Sequence, residues 1–212
     1  VSQVEGLKRI RLGSIEPRFL TLENIIRMSK IDKLCPHFHI SVQSLDNGVL
    51  RRMNRKDTRE DIFTITDNLK KYFKNVAFTC DIIVGFPGES DGEFENTLDG
   101  VKRVGFYEVH VFKYSKRKWT RAASMENQVD GNVAIERSKR LISIANEKKL
   151  EYMQNFIGKK MDVLFESYKD GNLYGFTRNY IKVKVKGDEK LWGLEEEVVL
   201  DSIEDELILG SI

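Results

Sequence analysis

Four strand-like runs, each followed by turn residues and a helical pattern, fill about the first 120 residues, and this alternation limits the fold more than any other feature. The first run, residues 9–15, alternates polar and apolar side chains and is stopped by Glu16-Pro17. Thr21 can then cap a helix carrying Leu22, Ile25 and Ile26 on one face. The second run, 38–44, ends in the turn-prone Gln43-Ser44-Leu45-Asp46-Asn47-Gly48, and a short helix through Val49, Leu50 and Met53 follows. Thr58 opens a longer helix with Ile62, Ile65, Leu69 and Tyr72 at helical intervals, Thr58 and Asp61 approximating a capping box. The third run, 76–85, precedes a Ser90…Glu93 capping box and a helix striped by Phe94, Leu98, Val101 and Val104. The fourth covers 107–114. Strand and helix alternating every ~30 residues predict right-handed βαβ units around a parallel sheet. Four units make half of an eight-stranded barrel, so the expected fold is α/β, a partial, open TIM-like βα barrel. A complete small open sheet is the alternative. In the half-barrel the first strand is an open edge, exposed, covered by the N-terminal segment or paired with a second copy in a dimer.

A long helical stretch, 133–156, ends at Gly158, and beyond it the period changes to two. Residues 161–166, 173–177, 181–185 and 198–200 read as short strands separated by Asp170-Gly171-Asn172 and Lys186-Gly187-Asp188. They predict a small antiparallel β-barrel of about 55 residues with OB-like proportions. The chain thus divides into 1–155 and 156–212.

The 212 residues are 41% hydrophobic, enough for a packed core, and the formal charge of +2 is nearly balanced. Nucleic-acid contacts must then come from local clusters. The two cysteines, Cys35 and Cys80, each fall inside a predicted strand and read as buried structural thiols, leaving no metal set. There is no charged-then-apolar leader and no run near the ~18 apolar residues of a membrane span. A soluble protein of a reducing, cytoplasmic compartment is expected.

On a parallel sheet, ligands bind where the strands end. Those ends offer Ser14 and Glu16; Gln43, Ser44 and Asp46; Gly85, Gly88 and Glu89; and Lys113, Tyr114 and Ser115. Such groups suit a ribose, an amino acid or a base edge. Phe86-Pro87-Gly88-Glu89 also has a plain structural account, a type II turn whose Glu89 favours the next helix's N-terminus. His37, His39 and His110 lie on strands without a nucleophile, and His39 and His110 read as core or inner-barrel residues. No Walker loop or G-x-G-x-x-G fingerprint is present. Lys113, Lys116, Arg117, Lys118 and Arg121 place five cations in nine residues around Tyr114 and Trp119, either a solvated charge run or a nucleic-acid contact. The barrel adds Tyr174, Phe176, Arg178, Tyr180, Lys182 and Lys184, whose aromatics serve equally well as core.

Taken in order, residues 9–17, Leu34-Cys-Pro-His-Phe-His-Ile-Ser-Val-Gln-Ser44, Met53-Asn-Arg55, residues 81–89 and His110-Val-Phe-Lys-Tyr-Ser-Lys-Arg117 resemble the radical S-adenosylmethionine methylthiotransferases. Cys35-Pro36-His37-Phe38-His39 and Met125…Asn127-Gln128-Val129 look most like the branch that thiomethylates N6-threonylcarbamoyladenosine beside the tRNA anticodon. The last 55 or so residues resemble a TRAM RNA-binding barrel. The resemblance implies S-adenosylmethionine and two [4Fe-4S] clusters in the full-length enzyme, held by cysteine sets that this chain does not carry. A fragment beginning inside the barrel is therefore expected, inactive alone, binding no cofactor, its partners the anticodon loop of tRNA and the missing N-terminal region. Ser14, Glu16, Gln43, Ser44, Gly85, Gly88, Glu89 and Tyr114 would lie on the cosubstrate side, with Arg55 pairing a carboxylate. Lys113, Lys116, Arg117, Lys118, Trp119, Arg121, Arg178, Tyr180 and Lys182 would face RNA. Two departures stand out: Leu45-Asp46 replaces the usual Gly-Ser, and Trp119-Thr120-Arg121 replaces a Gly-Thr-Pro segment, so bulk at Leu45 and Trp119 is expected to narrow the mouth or change the RNA path. Two other readings remain: a stand-alone RNA-binding module, and an unrelated α/β enzyme whose Phe-Pro-Gly-Glu turn binds phosphate.

Overall fold

The computed structural model describes residues 1–212. Strands β1 (Ser14–Ile15), β2 (His37–Gln43), β3 (Ala77–Val84) and β4 (Glu108–Lys113) form a four-stranded parallel sheet in chain order. Helices α1 (Leu22–Ser29), α2 (Asn47–Arg52), α3 (Arg59–Tyr72) and α4 (Asp91–Val104) connect them. Local chemistry fixes where each helix begins. Thr21 Oγ accepts from the Asn24 N–H, and the Asp46 carboxylate accepts from Gly48 and Val49. Thr58–Asp61 and Ser90–Glu93 both close full capping boxes; each such cap stabilises its helix by ~1 kcal/mol. Ile62, Ile65 and Leu69 of α3 and Phe94, Leu98 and Val101 of α4 pack with Phe38, Ile40, Phe78 and Ile82 in one core. The period of two sends His37, His39, Thr79, Asp81 and His110 to the opposite face of the sheet.

The first strand is much shorter than residues 9–15. Ile10 makes one isolated bridge to Leu34, and regular pairing starts at Ser14. The cations of the run serve the barrel instead. Arg9 donates to the Glu195 carboxylate and to the Phe176 and Asp162 carbonyls, and Arg11 lies 4.0 Å above the Tyr180 ring. Cys35 lies just before β2 rather than in a strand, whereas Cys80 is in β3; both are buried and free.

Helix α5 (Gly131–Gln154) leads into β5 (Lys160–Lys169), β6 (Asn172–Thr177), β7 (Lys182–Lys186), β8 (Glu195–Glu204) and β9 (Leu207–Ser211). These close into a barrel in the order β5-β6-β7-β9-β8. The pairing is antiparallel except between β7 and β9, which run parallel where the barrel closes. β9 escaped the pattern reading because Leu207, Ile208 and Leu209 are consecutive and do not alternate. A Cβ on Gly175 would strike the Leu164 carbonyl, so only glycine lets β6 cross β5 there. The barrel core (Phe165, Leu173, Val183, Leu200) continues through Met153 and Phe156 to Ala77 and Tyr107. Ala77 opens β3 and Tyr107 immediately precedes β4, so the barrel seats against the end of the sheet where its strands begin. No helix is long and apolar enough to cross a membrane.

Candidate cosubstrate cleft and nucleic-acid surface

At the opposite end, where the strands finish, a cleft of about 590 Å³ opens between the sheet and the 115–122 segment; Gln43, Asp81, Phe86, Phe112, Tyr114 and Arg117 are among its walls. Gln43 ends β2 at a break in register, with φ 67°. A left-handed side-chain-bearing residue costs ~1–2 kcal/mol, and such strain concentrates at functional sites. Tyr114 donates its backbone N–H to Val84 O at 2.9 Å, and its ring meets Phe86 edge-on at 5.4 Å. The Tyr114 hydroxyl is buried and has no protein partner. An unpaired buried hydroxyl costs ~1–3 kcal/mol, so this phenol is free to take a polar partner from the cleft.

The turn after β3 is held from behind. Gly85 has φ 73°, and a Cβ there would come within 2.8 Å of Ala134 Cβ on α5. Gly88 (φ 77°) donates its N–H to Asn127 O at 2.8 Å and leaves room for Arg52, which forms a bidentate pair with Glu93. The Glu89 side chain is 1% exposed; its Oε2 accepts from Gly85 N at 2.7 Å and from Arg137 Nη1 at 2.8 Å. Arg137 also donates to the Glu89 carbonyl and to Asp91. Burial pushes the Glu89 carboxyl pKa up, against the opposing pull of the Gly85 amide and the guanidinium. Glu89 thus faces α5.

Ser44 is buried too. Its Oγ lies 3.2 Å from Thr97 Oγ1 and accepts from Asp46 N. Leu45, 0% exposed, fits against Gly100 of α4, so its bulk fills the core and does not narrow the mouth. Arg55 donates to Glu16 at 2.8 Å and to the Ser41 carbonyl at 2.6 Å, while Ser14 is exposed beside them on β1. The fold therefore brings Gln43, Tyr114, Lys113 and Arg117 to one cleft. It gathers Ser14, Glu16 and Arg55 along the β1–β2 side and encloses Ser44 and Glu89.

Lys113, Lys116, Arg117, Lys118, Trp119 and Arg121 are all exposed on the segment after β4, Trp119 completely so. Lys116, Lys118, Trp119 and Arg121 line a shallow groove of about 560 Å³. The second aromatic and basic set is at the other end of the strands. Tyr180 stacks on Phe176 at 4.4 Å beneath Arg11, and Arg178 donates to the Asp32 carbonyl. Lys182 borders a cavity of about 280 Å³ with Tyr107 and Lys149. The two basic sets are not contiguous.

Of the two expected places for His39 and His110, core or inner face, the structure gives the inner, cleft-side face of the sheet. His39 is half-buried, His110 is exposed, and Asp81, to which the sequence reading gave no role, stands between them. Alternation along 79, 81 and 83 carried that signal, since it puts Asp81 on the cleft face. Cys35 and Cys80 are buried with thiol pKa values pushed up by burial. Iron–sulfur clusters require several thiolates, so the residues present do not fit one.

Residues 4–101 match the radical SAM superfamily. The chain is 40% identical over 205 residues to the tRNA-2-methylthio-N(6)-dimethylallyladenosine synthase of Caldicellulosiruptor saccharolyticus, covering 95% of this chain and 44% of that protein. It is 43% identical over 197 residues to the threonylcarbamoyladenosine tRNA methylthiotransferase MtaB of Bacillus subtilis, covering 91% and 44%. The chain thus spans less than half the length of these curated relatives, and the two identities do not separate the two enzymes. Coproporphyrinogen III oxidase (HemN) from Escherichia coli, described as a radical SAM enzyme, superposes with a TM-score of 0.57 at 14% identity. That match covers 86% of this chain and 47% of that one, a likeness of fold alone. Over residues 4–101 the chain is thus similar to the radical SAM superfamily, and the relatives it resembles along most of its own length are tRNA methylthiotransferases.

Proposed function

We propose that the chain is part of a tRNA methylthiotransferase that places a methylthio group on C2 of N6-threonylcarbamoyladenosine beside the anticodon, in the cytoplasm. Residues 1–155 would be part of the radical SAM core and residues 156–212 a TRAM-like, OB-like barrel that binds RNA. The observation that carries this reading is similarity to tRNA methylthiotransferases over 91% to 100% of the chain, barrel included. The choice of nucleoside rests on Cys35-Pro36-His37-Phe38-His39 and the Met125…Val129 run.

In this reading S-adenosylmethionine lies in the cleft, met by Gln43 and the Tyr114 hydroxyl, with the Gly85–Gly88 turn held in place by Glu89 and Ser44 bracing the neighbouring one. Ser14, Glu16 and Arg55 form the rim that meets a carboxylate. A cluster able to cleave the cosubstrate would need cysteines other than Cys35 and Cys80, so no chemical step is assigned to this chain. Its own contribution is to bind and orient. Lys113, Lys116, Arg117, Lys118 and Arg121 attract the phosphate backbone, and Trp119 offers a face on which an unpaired anticodon-loop base stacks. Arg178, Tyr180 and Lys182 form a second contact area on the barrel.

The missing thiolate set favours a second reading, an RNA-binding module without chemistry. Fluorescence anisotropy with labelled anticodon stem-loops carrying threonylcarbamoyl, dimethylallyl or unmodified adenosine tests the binding part of both. Preference for the threonylcarbamoyl loop is expected, with a steep salt dependence. Trp119→Ala should weaken it by roughly 5- to 150-fold, the equivalent of ~1–3 kcal/mol per stacked base. Equal binding of the three loops would remove the nucleoside assignment, and no salt-dependent binding would remove both readings. Methylthiolated nucleoside in the tRNA of a deletion strain expressing this chain joined to a cluster-bearing relative would favour the enzyme over the module.

A further inference from the structure

We propose that His39, Asp81 and His110 bind one divalent first-row transition-metal ion on the wall of the cleft. The three residues come from three adjacent strands, β2, β3 and β4, and all point from the face of the sheet that carries the cleft. Asp81 and His110 are direct register partners, and His39 is two residues off, opposite Thr79. One ligand atom from each lies within 4.8 Å of the others. A metal bound at ~2.1 Å to each needs ligand atoms about 3.0–3.4 Å apart. His39 Nε2 and Asp81 Oδ2 already stand 3.4 Å apart. Closure therefore falls to His110, the exposed member, whose side chain has room to turn.

The surroundings are those of a ligand set rather than a chance pairing. His39 Nδ1 lies 2.9 Å from Thr79 Oγ1, which orients the ring and leaves Nε2 directed at Asp81. Metal-binding histidines almost always have their second nitrogen held in this way. Thr79 Oγ1 is in turn 3.2 Å from His37 Nε2. Two imidazoles and one carboxylate suit zinc, cobalt or ferrous iron, not magnesium or calcium. Three protein ligands leave at least one coordination position open, and Asp81 also lines the cleft, so that position faces it. This site uses neither cysteine and does not depend on the proposed substrate.

Titration of the full chain with Co²⁺, read by visible d–d absorption, tests the proposal, with Zn²⁺ competition and Cys35→Ser as a control. One Co²⁺ per chain is expected, displaced by Zn²⁺, without thiolate-to-cobalt charge-transfer bands and unchanged in Cys35→Ser. His110→Ala removes a solvent-exposed side chain and should fold normally while weakening Co²⁺ binding at least 10-fold. Asp81→Asn should do the same. Sub-stoichiometric binding, a thiolate signature, or unchanged affinity in His110→Ala would overturn it and leave a metal-free His–Asp hydrogen bond.

Discussion

Arg137→Met separates two roles that Glu89 can have, lining the cleft at the strand ends or locking the turn to α5. In the structure Glu89 is enclosed, and its carboxylate is matched by the Gly85 amide at 2.7 Å and Arg137 at 2.8 Å. Methionine keeps most of the aliphatic volume of the arginine but leaves a buried charge with one hydrogen bond. Breaking a buried pair from one side costs ~3–5 kcal/mol. For a chain of this size that lowers Tm by roughly 10 °C. The cost should also depend on pH. The Glu89 carboxyl pKa is already raised by burial, and removing the guanidinium raises it further. A carboxyl with a raised folded pKa favours the protonated native state, so stability is retained below its unfolded value and lost as pH rises through the folded value. Arg137→Met should thus be most harmful at pH 8 and recover towards pH 5. Glu89→Gln keeps an acceptor for Gly85 and removes the buried charge, so Glu89→Gln/Arg137→Met should be more stable than Arg137→Met alone at pH 8. Thermal unfolding of the four proteins at pH 5 and 8 decides it. Additive, pH-independent losses would refute the lock and return Glu89 to the cleft.

His37 gives a second pH test with the opposite sign. It is buried and neutral with a folded pKa of about 4, so the unfolded chain takes up a proton first as pH falls below ~6.5, which costs about 2 kcal/mol between pH 8 and 5. Urea unfolding at those two values should show that loss in the native chain and a clearly smaller one in His37→Phe. Gly100→Ala should destabilise despite its better helix propensity: the new Cβ would stand 2.7 Å from Leu45 Cβ, and overpacking costs ~1–3 kcal/mol against a propensity gain of ~1. Combining it with Leu45→Ala should cost less than the sum of the two single changes in the same unfolding assay.

What could be read from the residues was what is local. Capping at Thr21, Thr58 and Ser90 depends on side chains three residues from their targets, and all three helices start there. Strands β2 to β8 were found for the same reason, since alternation is local, whereas β1 proved shorter than its pattern and β9 had none. Long-range partners were invisible. Arg137 lies 48 residues from Glu89 and carries no mark that it will close over that carboxylate. The 9–15 run alternates as a strand should, yet Arg9 and Arg11 are drawn to a barrel more than 150 residues away. His39, Asp81 and His110 are unremarkable singly and become a cluster only when three strands fall into register. Periodicity assigns a side chain to a face of the sheet, but not which residues share that face.

The two departures from the family pattern act in different ways. Leu45 replaces a small residue at a turn beside the cleft, which by size alone predicts obstruction. Instead its side chain points down onto α4, where Gly100 leaves space that any larger residue would fill. A bulky residue in the turn and a bare position on the helix are thus one packing solution shared between two elements. Its consequence is for stability, not access. Trp119 has no such compensation. It is fully exposed at φ 71°, on a segment that also carries Lys116, Lys118 and Arg121. An indole left in water beside cations gains nothing for folding, and a left-handed backbone costs ~1–2 kcal/mol there. Ligand contact offsets such a cost, and base stacking at ~1–3 kcal/mol is the contact of the right size. Of the two substitutions, only Trp119 can bear on the proposed contact with RNA.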